Sequence, residues 1–260
     1  MNDDIHDYSF ESNGGAKING KTIKVKEVSS STTFIGKVFL TMFVGLLITS
    51  GVAIGLAYLF AYLLATSSNP ETVFAYIIGG VVISGISLLI MSFVLPITFA
   101  RGRHSILVPS IIFAILMGGL LSVEVLITDI EILLLALGAT TLIFGIMAAI
   151  GFLGKGRLSG LSVAISGLFM GLLILSIINI VIMLMNPGMA NMSLYWIISL
   201  GFFAVIMLIT LWDMRNIKRI SERASDAGNN LVLYCAFVIY TDFIAILIRL
   251  IYYLGIASRR

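Results

Sequence analysis

Long apolar runs separated by short polar breaks fill most of the chain. Seven runs follow a polar start, at residues 34–64, 72–100, 105–127, 130–153, 158–185, 192–213 and 231–256. Each reaches the roughly 20 residues that a helix needs to cross the hydrocarbon core of a bilayer. A transmembrane β-barrel would instead show short segments of alternating polarity. The pattern therefore predicts an all-α polytopic membrane protein with seven transmembrane helices.

The first 33 residues are polar, with acidic residues first and lysines after them. They lack the basic start and short apolar run of a signal peptide. We therefore expect a cytoplasmic, disordered tail at residues 1–33 and a seven-helix transmembrane domain at residues 34–260.

Basic residues occur in every second break between the apolar runs. They follow the second, fourth and sixth runs, as Arg101 and Arg103, then Lys155 and Arg157, then Arg215, Lys218, Arg219 and Arg223. The other three breaks contain no Lys or Arg. Because basic loops stay in the cytoplasm, this alternation predicts a cytoplasmic N-terminus.

The seventh run admits two topologies. A full crossing places Arg259 and Arg260 outside, against the charge rule, whereas a segment that dips in and returns keeps them inside. We favour a full crossing because the run is long enough to span the bilayer.

Composition excludes most soluble functions. Apolar residues make up 59% of the chain and charged residues 11%, whereas soluble domains carry about 25% charged residues. A single cysteine, Cys235, excludes a disulfide framework and a cysteine metal cluster. The two histidines, His6 and His104, belong to no hydrolase or metalloprotease motif, and there is no phosphate-binding loop. We expect neither an enzyme nor a bound cofactor.

Ionisable residues inside the apolar runs are rare, and Asp242 is the most unusual of them. Lys37 and Glu124 lie near the ends of their runs and can reach water. Asp242 lies near the middle of the last run, where an ionised aspartate costs about 2.5–3.5 kcal/mol. It should face the interior of the bundle and be paired or protonated, which makes it a functional candidate.

Asp213 is a possible partner for Asp242. If the sixth helix ends near Glu222 and the seventh begins near Asn229, the two carboxyls lie about 13 and 20 Å from the connecting turn. Two such carboxylates in a low-dielectric setting cannot both ionise cheaply, so they would share a proton. Alternatively, Asp213 lies at the cytoplasmic interface beside Trp212. The sequence leaves both readings open.

Several charged side chains are predicted near the outer surface. Glu124, Asp129 and Glu131 could concentrate cations at an outer mouth, since Ca²⁺ prefers several oxygen ligands, or they could form an ordinary solvated loop. Arg249 follows Asp242 by seven residues on a similar face, so it either neutralises an interior acid or snorkels outward.

Aromatic and glycine residues add predictions about helix ends and contacts. Aromatic side chains suited to the outer interface are Tyr195, Trp196, Tyr252 and Tyr253. Pairs of glycines spaced for close helix contact are Gly51 with Gly55 and Gly167 with Gly171.

The last two runs resemble a known family. Residues 211–219 read Leu-Trp-Asp-Met-Arg-Asn-Ile-Lys-Arg, and residues 240–249 read Tyr-Thr-Asp-Phe-Ile-Ala-Ile-Leu-Ile-Arg. These two segments resemble the sequences of the Bax inhibitor-1 (transmembrane Bax inhibitor motif) family, in particular its small bacterial members. The chain departs from the family pattern at Ala245, where an asparagine is usual, and it lacks carboxylates within the second run.

The resemblance implies a bundle whose last helix is central, and a pH-sensitive calcium leak. It implies that Asp213 and Asp242 form the pH-sensor pair. It also implies that an arginine at the cytoplasmic end of the second helix, Arg101 or Arg103, engages the first aspartate and helps to gate the pore.

Two functional hypotheses follow. The first is a pH-gated leak in a bacterial plasma (inner) membrane, with Ca²⁺ as the permeant ion and no cofactor. The alternative is a non-conducting regulator that binds a membrane protease or another membrane protein through the tail. The expected partners are the lipid bilayer and such a protein, but no nucleic acid; the sequence leaves the oligomeric state open.

Overall fold

Seven long helices form the transmembrane part of the protein in a computed structural model, which describes residues 9–11, 15–18, 21–24, 27–101, 106–154, 158–185, 192–223 and 229–258. The helices are α1 (Glu27–Thr66), α2 (Pro70–Arg101), α3 (Leu107–Ile127), α4 (Ile130–Leu153), α5 (Leu158–Met185), α6 (Met192–Arg223) and α7 (Asn229–Ser258). All seven are long and apolar enough to cross a membrane, which confirms the predicted class. The last helix runs unbroken for 30 residues, which suits a full crossing.

A small antiparallel sheet lies within the predicted tail. Its strands pair in chain order and are β1 (Ser9–Glu11), β2 (Gly15–Ile18) and β3 (Lys21–Lys24). The structure here differs from the disordered tail expected from composition, because neighbouring antiparallel segments can satisfy each other's backbone hydrogen bonds. The predicted boundary between residues 33 and 34 falls inside α1, whose apolar span begins at Thr32. The cytoplasmic location of the tail stays a prediction.

Short connections join α1 to α2 and α3 to α4, and α1 and α2 also pack against each other. Between α1 and α2, the Ser67 hydroxyl accepts a hydrogen bond from the Asn69 backbone N–H, and Pro70 then opens α2. Proline suits this first helical position because its missing N–H would have no partner inside the helix. α3 ends at Ile127, and the extended Thr128 leads almost directly into α4.

α7 makes contact with most of the other helices. It packs against α1, α2, α3, α4 and α6. Half of its most apolar window is buried inside the protein, compared with 28% or less for every other helix. The central position of the last helix implied by the family resemblance stays a prediction, but α7 contacts five of the other six helices.

A buried hydrogen-bonded chain joins α1, α3 and α7. The Thr49 hydroxyl donates to the Ala114 carbonyl oxygen at 3.0 Å and lies 2.6 Å from the Tyr240 hydroxyl. Since the Thr49 hydroxyl has one proton, Tyr240 donates to Thr49. In lipid a polar group without a partner is costly, so this chain holds the three helices in one register.

The closest helix approaches occur at glycines other than the two predicted pairs. A β-carbon on Gly51, Gly55, Gly167 or Gly171 would meet nothing within 4 Å among the described residues, so the expected contacts within the chain are not made there. A β-carbon on Gly118 would instead lie 2.7 Å from both the Thr49 carbonyl oxygen and Val52 Cβ. Gly118 thus fixes the crossing of α1 and α3.

Replacing Gly118 with alanine should therefore destabilise the protein. Because the new methyl group meets helix backbone, α1 and α3 must separate, at a cost of about 1–3 kcal/mol. The matched control is Gly55→Ala, where the methyl group enters open space. Unfolding in detergent measures both variants, and equal stability of the two would contradict this account of the crossing.

Candidate functional site

The candidate site lies between α6 and α7, where the two intramembrane aspartates meet. α6 ends at Arg223 and α7 begins at Asn229, within one residue of the helix ends assumed from the sequence. The side chains of Asp213 and Asp242 lie close together across the contact between α6 and α7. Asp242 is only 8% exposed, and Asp213 is half-buried.

Helical periodicity explains why Asp242 faces inward. It belongs to a buried stripe of α7 that includes Ile239, Phe243 and Ile246, at the three- and four-residue spacing of one helix face. The carboxyl is therefore held among apolar side chains, where an isolated charge would lose its hydration.

Thr210 is a third member of the site, and the sequence analysis missed it. It is fully buried on α6, one helical turn before Asp213, and its hydroxyl reaches the Asp242 carboxyl. The same hydroxyl donates to the Ile206 carbonyl oxygen at 3.0 Å. A threonine three residues before an intramembrane aspartate, and so on the same helix face, was the available signal.

One oxygen of Asp242 lacks a donor. Asp242 Oδ2 is buried and has no hydrogen-bond partner in the described part of the chain. A carboxylate can only accept hydrogen bonds, whereas a protonated carboxyl also donates one. A proton held between Asp213 and Asp242 would therefore make the contact between them a hydrogen bond.

Basic residues near Asp213 are directed elsewhere. Lys218 Nζ donates to the Phe152 carbonyl oxygen at 2.6 Å, and the Arg215 guanidinium lies against Gly154. Both cations thus lie at the C-terminal end of α4, where the helix dipole is negative. No Lys or Arg whose side chain is described lies within 4.0 Å of either aspartate.

Asp213 therefore makes its close polar contact with Asp242 rather than forming an ion pair with Arg215. The structure thus brings the two aspartates together, and the depth of Asp213 in the membrane stays a prediction. A role for the pair as a pH sensor stays a prediction.

The predicted gating arginines are not described at side-chain level. Arg101 is the last residue of α2, and its side chain lies outside the described part of the structure, as does the whole of Arg103. An arginine latch on Asp213 stays a prediction.

The predicted outer acidic residues do not converge. Glu124 is half-buried near the end of α3, whereas Asp129 and Glu131 are exposed around the start of α4. Across the described residues, no three His, Cys, Asp or Glu side chains come together in a way that could hold a metal ion. A cation-attracting outer mouth stays a prediction for these three carboxylates.

The aromatic residues predicted near the outer interface and Arg249 meet at the contact between α6 and α7. The Tyr195 and Tyr252 hydroxyls lie 2.6 Å apart. Tyr253 donates to the Ser199 carbonyl oxygen at 2.8 Å, and Arg249 Nη1 donates to the Ser199 hydroxyl at 3.5 Å. Arg249 lies beyond the aspartate pair along α7, so it does not neutralise that pair directly.

Seven apolar helices with a buried carboxyl pair define a polytopic α-helical integral membrane protein. The family model for "Inhibitor of apoptosis-promoting Bax1" matches residues 31–259. The chain therefore belongs to the Bax inhibitor-1 family, which confirms the resemblance found in its last two helices. Comparison with curated proteins gives no match.

Removing the Thr210 hydroxyl should weaken the site. Thr210→Val keeps the shape of the side chain but deprives the buried Asp242 carboxyl of a polar neighbour, at a cost of about 1–3 kcal/mol. Thr141→Val is the matched control, because the exposed Thr141 hydroxyl makes the same type of bond, to the Leu137 carbonyl oxygen at 2.8 Å.

The free energy of unfolding in detergent should fall for Thr210→Val and change little for Thr141→Val. If both variants lost the same stability, the effect would come from the bond within each helix and not from Asp242.

Proposed function

We propose that this protein is a pH-sensitive cation leak, with Ca²⁺ as the permeant ion, controlled by the Asp213–Asp242 pair. The observation that carries the proposal is the contact between these two carboxyl groups across two transmembrane helices. Membership of the Bax inhibitor-1 family supports a membrane protein of this kind.

The number of protons on the pair sets the force between α6 and α7. With one proton, the two carboxyls share a hydrogen bond and attract each other. With none, two negative charges face each other where the surroundings screen them weakly, and they repel. Loss of a proton thus favours separation of the two helices, and gain of a proton favours their contact.

The titratable groups near the pair are less suited than the two aspartates to respond to pH. Cys235 and Tyr234 of α7 are titratable side chains near Asp213, and both are neutral when they carry their protons. In the neighbouring helices, Lys37 of α1 is exposed and Glu131 lies in the first turn of α4. The described transmembrane helices carry no other carboxylate away from their ends.

The contacts of α7 provide a route from the pair to the rest of the bundle. α7 packs against α1, α2, α3 and α4 as well as α6, so a shift at Asp242 changes several interfaces at once. Packed interfaces tend to switch between discrete arrangements instead of deforming gradually. A proton at one contact can therefore alter a pathway between helices.

Ca²⁺ flux into proteoliposomes across a pH series tests the proposal. The parent protein should conduct Ca²⁺, and its flux should change several-fold over the pH range in which the pair gains or loses its proton. Asp213→Asn and Asp242→Asn should each lose most of that pH dependence, because an amide does not titrate. Glu71→Gln is the control, since this exposed carboxylate in the first turn of α2 lies outside the site.

Two results would contradict the proposal. Flux equal to that of empty vesicles would remove the leak and favour the non-conducting regulator. A pH dependence that persists unchanged in both asparagine variants would place the sensor elsewhere in the chain.

A further inference from the structure

A cation without a carboxylate partner lies near the outer end of the α6–α7 contact. Arg249 is half-buried within α7, and among the described residues it makes one hydrogen bond, to the Ser199 hydroxyl. A guanidinium has five N–H donors, so most of its donor capacity stays unused. No described Asp or Glu side chain lies within 4.0 Å of it.

The polar groups beside Arg249, on Ser199 and Tyr253, form hydrogen bonds with each other. Tyr253 donates its proton to the Ser199 carbonyl oxygen, and the Ser199 hydroxyl lies 3.0 Å from the Tyr253 hydroxyl. Ser199 is only 4% exposed, so it is a fixed acceptor for Arg249. One edge of the guanidinium thus lies beside α6, and no carboxylate among the described residues compensates its positive charge.

If the hydrocarbon core of the bilayer is centred on α7, Arg249 lies near the level of the lipid phosphates. α7 has 30 residues and is about 45 Å long, which exceeds a hydrocarbon core of about 30 Å by about 7 Å at each end. Arg249 precedes Ser258 by nine residues, or about 13 Å, so its Cα lies about 6 Å below the hydrocarbon boundary. A long arginine side chain reaches upward across that distance.

The start of α6 adds a favourable potential for an anion. α6 begins at Met192 on the same side, its first turn contains no acidic residue, and its unpaired N–H groups carry partial positive charge. Exposed hydroxyls of Tyr195 and Tyr252 meet beside this end. Cationic, hydroxyl and aromatic groups therefore line one side of the α6–α7 contact.

From this geometry we infer a lipid-binding site, in which Arg249 binds the phosphate group of a phospholipid in the outer leaflet. The planar guanidinium offers paired N–H donors to two phosphate oxygens, and Ser199 keeps it oriented. The lipid phosphate supplies a negative charge that no Asp or Glu in the described part of the chain places there. This site is separate from the aspartate pair and does not depend on the proposed leak.

Native mass spectrometry of the full chain in detergent tests the site. Phosphatidylglycerol is titrated against a diacylglycerol with the same acyl chains, which lacks only the phosphate-containing headgroup. The parent should bind phosphatidylglycerol several-fold more tightly than diacylglycerol. Arg249→Gln should lose that preference, whereas Arg219→Gln, which removes an exposed cation near the opposite end of α6, should keep it.

A second variant distinguishes a loss of lipid binding from a loss of folding. Arg249→Lys keeps the charge but not the planar fork, so it should bind phosphatidylglycerol more weakly than the parent and more tightly than Arg249→Gln. Equal binding by the parent and Arg249→Gln would overturn the inference, as would an equal loss in Arg219→Gln. Displacement of the lipid by inorganic phosphate at equal concentration would assign the site to a soluble anion and also overturn it.

Discussion

Burying the carboxyl group of Asp242 in the last helix is the constraint that most affects this structure. An ionised aspartate at mid-membrane costs about 2.5–3.5 kcal/mol, and lipid offers it no hydrogen bond. The chain meets this cost by bringing Asp213 and Thr210 of the preceding helix to the same point. The contact sets the register of α6 against α7, and α7 in turn contacts four further helices.

Several other polar groups in the described helices have hydrogen-bond partners other than the two aspartates. Thr49 and Tyr240 join α1, α3 and α7, while Lys218 caps the end of α4. The contact between Asp213 and Asp242 therefore links α6 and α7 separately from these bonds.

The sequence predicts the lengths of the helices and the positions of residues along the helix axes, but not the directions in which the side chains face. Apolar run lengths gave the seven helices, and counting residues from the α6–α7 turn placed Asp213 and Asp242 at comparable depth. The direction in which a side chain faces was harder to predict, since lipid-facing and buried positions are both apolar. For that reason the glycine pairs proved to be open positions, while Gly118 and Thr210 were missed.

Infrared spectroscopy of the purified protein across a pH series tests the shared proton most directly. The account predicts a protonated carboxyl band at a pH where exposed carboxylates are fully ionised, and predicts that Asp213→Asn and Asp242→Asn each shift or abolish it. A spectrum without such a band, or one that both substitutions leave unchanged, would contradict the account.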